Sequence, residues 1–407
     1  MTDLKKYAVP AILTASFLLR AGYALYTGGA FIYPDEGVYN NLALSMLSGP
    51  DWSGLFHNRE PLYPAMIWLT YKITGPFPLA VKLLQAALSV YGVFLLHRTS
   101  RGLFGPKAAF LTLLISAFYP FSIFYDARLL RESLLAFLGI AVLHVSLKPG
   151  AGPRRLIAAS ALAGLAAMAK TIFLFYWAPF AAAALLLRRV SPAAALACAG
   201  AFTLAVAPLA IANHSDTGKF FLCRGQIFAL YTPLVSAKEV HGTPGEEAYW
   251  QKNPVYVEGM ALPEAERDAY FMARVKEEIQ TRPLNFADRT LWRFLKLWRL
   301  YPNRVPEYSA GNWLLLSAIS LMSDGWLIPL GFWAAFALRG RWRELYPVYI
   351  YLASFTMIYS LSWSQIRYRL PLMPALILLA APLAVKILAK AGVNVPGDTP
   401  EGVMEKL

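Results

Sequence analysis

The feature that most constrains this chain is a succession of apolar runs, each of a length that matters to a lipid bilayer. They cover Tyr7 to about Tyr26, Phe77–Leu96, Ala108–Phe124, Leu129–Leu147, Leu156–Leu187, Ala193–Ile211, Trp313–Leu338, Leu345–Leu361 and Leu370–Leu388. A spanning helix takes about 20 residues, because hydrocarbon cannot satisfy an open backbone. Composition agrees: 57% of the chain is hydrophobic and only 15% charged, against roughly 25% charged in soluble proteins. A soluble enzyme, a disulfide scaffold and a disordered tail are excluded at this step. Of the two cysteines, Cys198 lies in an apolar run and Cys223 in a polar stretch, so no mutual disulfide is expected.

Charge then orients the spans. Lys5 and Lys6 precede the first run, which no small-residue cleavage site ends, so it reads as a retained span. Arg98, Arg101 and Lys107 form one short basic loop, and Arg339, Arg341 and Arg343 another. Leu156–Leu187 is too long for one crossing. Lys148, Arg154 and Arg155 precede it and Arg188 and Arg189 follow it; both clusters stay in the cytoplasm, so the run is a hairpin turning near Lys170-Thr171. The reading is an all-α polytopic membrane protein of about ten transmembrane helices, both termini inside. The net charge of +14 follows the same inside bias and does not point to nucleic acid.

Four regions result: an N-terminal transmembrane module over 1–211 that includes a first outer loop at 27–76, an extracytoplasmic loop over 212–312, C-terminal spans over 313–391, and a flexible tail at 392–407. Within the larger loop, Pro263–Gln280 reads as a soluble helix. Pro283–Tyr301 carries Leu284, Ala287, Leu291, Phe294, Trp298 and Tyr301 at spacings of three and four, with Arg289, Arg293 and Lys296 on another face. That pattern fits a helix lying in the membrane interface or packing on the protein's own body.

Several positive charges stand on the wrong side for this topology. Arg367 and Arg369 flank Tyr368 in the last outer loop; Lys82 and Lys170 lie at outer ends of spans; Arg128 and Arg131 precede the fourth span with Glu132; Arg59 ends the first outer loop. A charge at membrane depth costs at least about 2.5–3.5 kcal/mol, so it usually has a counter-ion. Snorkelling explains any one of them, but not their convergence on one face. The economical partner is a lipid phosphate, which Arg clamps bidentately and Lys meets as a point charge.

An acidic pair, Asp35-Glu36, follows the first span and opens a helix expected over Glu36–Ser48. The plain structural role for Asp35 is that of N-cap. An acidic pair facing a basic cluster can also deprotonate a hydroxyl while the cations hold a departing phosphate. No phosphate-binding glycine loop, dinucleotide fingerprint or zinc-protease motif is present, and the five histidines are scattered. His57 reads as an ordinary loop histidine. No cofactor is required by these motifs; a divalent metal at Asp35 and Glu36 stays open, since two carboxylates could hold one but are too few to define a site.

Motif order carries a resemblance. After the first span come Pro34-Asp35-Glu36-x-x-Tyr39 and Arg59-Glu60-Pro61-Leu62-Tyr63-Pro64; then Tyr125-Asp126-Ala127-Arg128 with Glu132, and Gly164-Leu165-Ala166-x-x-x-Lys170. Arg282-Pro283-Leu284-x-Phe286, Lys296-x-Trp298 and Arg367-Tyr368-Arg369-Leu370-Pro371 complete the series. The chain resembles the GT-C membrane glycosyltransferases, in the branch of the protein O-mannosyltransferases and lipid A aminoarabinose transferases. The resemblance implies an inverting sugar transfer from a polyprenyl-phosphate donor to a lipid, glycan or protein hydroxyl, on the outer face of the plasma (inner) membrane. It also implies a catalytic Asp35 with Glu36 beside it. Lipid-phosphate contacts fall on Lys170, Arg367 and Arg369, then on Arg59 and Lys82, with Tyr39, Arg128, Glu132 and Tyr368 in the same substrate site. Two positions depart from the aminoarabinose pattern: Val38 precedes Tyr39 where that branch has arginine, and Glu60 stands where it has lysine. A lipid or sugar-lipid transporter is the alternative, but transporters usually show related halves with broken helices near the midplane, whereas here the charges gather at one face.

Overall fold

The computed structural model describes residues 2–49, 54–148, 152–224, 227–241, 243, 245–302 and 309–397. Proline and glycine punctuate the apolar runs into helices. The described residues form eighteen α-helices. First come α1 (Thr2–Thr27), α2 (Pro34–Ser48), α3 (Leu62–Thr74), α4 (Pro78–Phe104), α5 (Pro106–Ala117), α6 (Pro120–Asp126), α7 (Glu132–Ser146), α8 (Pro153–Ala167), α9 (Ile172–Leu186) and α10 (Pro192–Thr217), then α11 (Phe228–Val235), α12 (Glu246–Trp250) and α13 (Pro254–Ala261). The chain continues through α14 (Glu264–Thr281), α15 (Pro283–Leu297), α16 (Ala310–Ala337), α17 (Trp342–Leu361) and α18 (Met373–Lys390), with 3-10 turns at Leu338–Arg341 and Ile366–Leu372. No strand occurs among the described residues.

Five stretches are long and apolar enough to cross a membrane: Tyr7–Thr27, Pro78–Phe104, Pro192–Thr217, Gly311–Leu361 and Ile366–Lys390. The fourth folds back on itself at the first 3-10 turn, since the Tyr349 hydroxyl donates to the Ala335 carbonyl at 2.9 Å. A straight helix would hold those residues about 21 Å apart. The pair α5 and α6, bent by 47°, makes a further span. The other crossings expected from sequence are α7, α8 and α9, each of 15 residues. At about 22 Å each they are shorter than the hydrocarbon core, so the α8–α9 turn lies within the rim of the bundle and takes protein partners for its backbone.

The α5–α6 break shows how a charge is accommodated at depth. Tyr119, standing before Pro120, cannot comfortably stay helical, and α5 ends with open carbonyls at Ser116 and Ala117. Arg20 of α1, fully buried, donates to both carbonyls, at 3.3 and 2.6 Å. Its charge is neutralised by Asp126 at 2.9 Å. Gly164 performs a different service: α8 packs along α10 so closely that an added Cβ would stand 2.7 Å from the Phe202 carbonyl.

The basic loops meet at one end of the bundle. Arg341 donates to the Leu103 carbonyl at 3.1 Å and Arg189 to the Arg343 carbonyl at 3.0 Å. Gly397 packs against Pro106 and Lys107 there, so the first part of the tail is seated on the bundle; the rest of 392–407 lies outside the described residues.

At the other end, α15 packs its charged face on the protein's own body and turns leucines outward, so the two readings of Pro283–Tyr301 are compatible. Leu284, Leu291 and Leu295 are exposed, while Arg293 and Lys296 are buried. Arg289 donates to the Ser236 carbonyl, Arg293 to the carbonyls of Ser360 and Pro233, and Lys296 to the His241 carbonyl. A helix that turns its charges inward and its leucines outward suits a surrounding of lipid. The soluble helix expected at Pro263–Gln280 is α14.

Candidate active site

The helix after the first span begins two residues earlier than its sequence suggests. Tyr33 is the N-cap and Pro34 the first helical residue, which suits a fixed φ and a missing N–H. Asp35 therefore sits inside the first turn and does not cap it. Its carboxylate turns to two arginines: Oδ2 accepts from Arg367 at 2.8 Å, and Arg59 lies 3.6 Å from Oδ1. Burial raises the Asp35 carboxyl, but Arg367, Arg59 and Arg131 outweigh it and hold the group below the usual carboxylate range.

Arg367 links this carboxylate to a second one. Its Nε faces Glu132 Oε1 at 3.7 Å, while Glu132 Oε2 and Arg367 Nε are both buried without a hydrogen-bond partner. Buried orphans of opposite sign are uncommon, and they mark a place where a polar ligand would find partners. Beside them, the Lys170 ammonium stands over Tyr368 at 4.1 Å and Tyr359 at 4.9 Å, rings that stack on each other at 5.0 Å. Burial is the main reason the Lys170 amine is pulled down to about 7, with Arg131 and Arg367 pushing the same way against Glu132 and Glu60. Tyr39 packs its ring edge-on against Tyr63 at 4.9 Å in the same field of charges.

Glu60 was not among the residues expected to form the site, and Arg131 was expected as one of the outer cations meeting a phosphate; together they shape it. Glu60 pairs with Arg131 at 2.5 Å. It also accepts from the Thr171 amide at 3.0 Å and the Thr171 hydroxyl at 2.7 Å, while the Leu62 amide donates to the Met168 carbonyl at 3.0 Å. These bonds hold the α8–α9 turn, and with it Lys170, against the first outer loop. Burial raises the Glu60 carboxyl, but Arg131 and the Thr171 donors outweigh it and the net shift is downward. The available signal was the departure itself: an acid where the resembling branch has lysine needs a cation nearby, and Arg131 provides it.

Three expected residues give their polar groups to the protein itself, and a fourth, Arg128, is only partly satisfied, its Nε buried without a hydrogen-bond partner. Glu36 gives both carboxylate oxygens to backbone amides, Oε1 to Ile32 at 2.9 Å and Tyr33 at 3.0 Å, Oε2 to Leu129 at 2.9 Å. It staples the α1–α2 connection to the segment before α7. Lys82, fully buried, donates to the carbonyls of Gly28 at 2.6 Å and Ala30 at 3.3 Å, closing the C-terminal end of α1. Arg369 is buried in an ion pair with Asp324 of α16 and donates to the Arg299 carbonyl. Arg128 stacks on Phe124 at 4.8 Å among Glu36 and Lys82. His57 is a loop histidine with a structural partner, Asp216 at 3.2 Å, which joins the two outer loops. Among the described residues no group of three or more His, Cys, Asp or Glu side chains could hold a metal ion.

No known family's sequence model matches the chain, and no curated protein matches it. Solved structures do. Its fold is similar to that of ArnT from Cupriavidus metallidurans bound to undecaprenyl phosphate, with a TM-score of 0.59 and 16% identity over 95% of this chain and 64% of that one. It is also similar to the Archaeoglobus fulgidus oligosaccharyltransferase tethered to an acceptor peptide (TM-score 0.57, 14% identity, 98% of this chain and 52% of that one). The AglB structure from the same organism, in complex with an inhibitory peptide and a dolichol-phosphate, gives a TM-score of 0.53 at 13% identity, over 99% and 54%. The protein is a polytopic, all-helical membrane protein. Its fold is the one these structures share, and it spans less than two thirds of the length of each.

Proposed function

We propose that the chain is an inverting glycosyltransferase that moves a sugar from a polyprenyl-phosphate donor to an acceptor hydroxyl. The observation that carries this reading is the Asp35 carboxylate held 2.8 Å from Arg367 and 3.6 Å from Arg59, with Lys170 and the unpartnered Glu132 oxygen alongside. In such a site the donor phosphate lies between Arg367, Arg59 and Lys170. As those arginines turn to the phosphate, Asp35 loses the pairs that depress its basicity and becomes a better proton acceptor. The acceptor oxygen attacks the anomeric carbon as its proton passes to Asp35, the bond from that carbon to the phosphate oxygen breaks, and polyprenyl phosphate leaves with the electron pair. Its growing charge interacts with Arg367 and Lys170 more strongly than the bound donor does, which is the condition for lowering the barrier.

The basic loops gathered at the opposite end of the bundle support an extracytoplasmic site in a plasma (inner) membrane, and the outward leucines of α15 support a position at the outer headgroups. The undecaprenyl phosphate in ArnT and the dolichol-phosphate in AglB support the class of donor. The test is a nanodisc assay with purified protein and a radiolabelled polyprenyl-phosphate sugar. Transfer means label on a water-soluble or lipid hydroxyl acceptor together with free polyprenyl phosphate. Intact donor moved between leaflets with no acceptor labelled would replace the transferase reading with the transporter.

A further inference from the structure

The end of the bundle away from Asp35 contains a second polar feature that the transfer reaction does not use. A cleft of about 680 Å³ opens between the start of α1 and the ends of α4 and α7. It lies roughly 24 Å from the site end of α4, taking the 16 residues from Lys82 to Arg98 at helical rise. Arg98, Arg101 and Lys148 line it and are exposed. Among the described residues none of these three has an acidic partner. The other arginines at this end differ: Arg341 pairs with Glu344 at 2.7 Å, Arg189 donates to the Arg343 carbonyl, and Arg339 donates to the Phe336 carbonyl at 3.1 Å.

Two imidazoles complete the polar wall. His97 uses Nδ1 on the Ala109 carbonyl at 3.0 Å, and His144 uses Nδ1 on the Thr99 hydroxyl at 2.8 Å. The Thr99 hydroxyl itself donates to the Leu95 carbonyl at 2.9 Å, so His144 Nδ1 is the donor. With its proton on Nδ1, a neutral ring leaves Nε2 as an acceptor, so the contacts to an anion fall on Arg98, Arg101 and Lys148 and not on the imidazoles. The rest of the wall includes Val9, Phe94 and Leu147, an apolar surface suited to a lipid and not to a free ion. Basic pockets between transmembrane helices on this side of a membrane suit phosphate headgroups.

We propose that this cleft binds the phosphate of an anionic lipid headgroup, at the opposite end of the bundle from the transfer site. The test uses the full chain in phosphatidylcholine nanodiscs, titrated with a fluorescent phosphatidylglycerol. Saturable binding is expected, and the exposed triple variant Arg98→Gln/Arg101→Gln/Lys148→Gln should weaken it on the order of 100-fold. A charge-matched control, Arg188→Gln/Arg339→Gln/Arg343→Gln, should leave it within a few-fold. Equal losses in both variants would reduce the effect to general surface charge and overturn the site. So would equal binding of a fluorescent phosphatidylcholine. Calorimetry with inorganic phosphate separates the sources: phosphate that binds where phosphatidylglycerol does not would overturn the lipid assignment. Unchanged melting temperatures in both variants establish that folding is not the variable.

Discussion

Replacing Asp35 with asparagine separates the chemistry of the proposed site from its binding. The substitution keeps the shape and removes the charge. Asp35 is about one-third exposed, at 32%, so its pairs with Arg367 and Arg59 are worth no more than about 1 kcal/mol to the fold, and the melting temperature should hardly move. Removing a general base typically costs 10²–10⁴-fold in rate, or about 2.7–5.5 kcal/mol of barrier. Donor affinity should move the other way. In the wild type the arginines must leave a carboxylate at 2.8 and 3.6 Å before they can hold a phosphate; in Asp35→Asn that competition is gone, so the donor should bind as tightly or more tightly. Single-turnover transfer of radiolabel and a separate titration of donor give the two quantities. A rate within threefold of wild type would remove Asp35 from the chemistry. A loss of donor affinity matching the loss of rate would make Asp35 a binding residue and refute the exchange of partners between carboxylate and phosphate.

The two arginines of the last outer loop should behave differently. Arg367→Gln is expected to weaken donor binding about 10–100-fold, read by titration of donor on the folded variant, whereas Arg369→Gln, which leaves Asp324 buried and unpaired, should cost about 3–5 kcal/mol of stability, read by thermal unfolding. Breaking the Glu60–Arg131 pair in Glu60→Gln should likewise lower the melting temperature, again by an effect on the order of 3–5 kcal/mol, and loosen the Lys170 turn, visible as faster amide exchange at Thr171. Burial holds the empty-site Lys170 amine near 7, so the charged form that meets a phosphate is lost as pH rises through that value. Affinity for the sugar-phosphate donor should therefore fall up to tenfold per pH unit above about 7, and the slope should vanish in Lys170→Ala; a flat profile from pH 6 to 9 in the wild type would refute the lysine's role. At the acid limit, the Asp35 carboxyl is depressed in the empty site and rises as its arginines turn to the donor, so kcat should fall at a higher pH than kcat/KM does; acid limbs that coincide would refute the exchange of partners.

Much of this protein was legible before any fold was known, because the relevant physics is local. Hydrocarbon tolerates only a satisfied backbone, so run length and the basic loops between runs fix where helices form and which ends share a side. The hairpin at Lys170-Thr171 and the two-faced pattern of α15 follow from residues a few positions apart, whereas the bend at Pro120 and the inward turn of the α15 charges came only with the fold. The same reasoning placed Asp35, Arg367 and Lys170 on one rim.

What the sequence could not decide is which charges meet each other and which meet a ligand. Asp35 and Arg367 are 332 residues apart, and their contact depends on how α2 and the segment after α17 pack. Glu36, Lys82 and Arg369 have the same chemistry as the site residues, yet packing gives their donors and lone pairs to backbone groups and to Asp324. Only tertiary structure separates a buried charge already satisfied by its own chain from one left unsatisfied. That difference is decided by partner distances of about 3 Å, and no spacing along the chain encodes them.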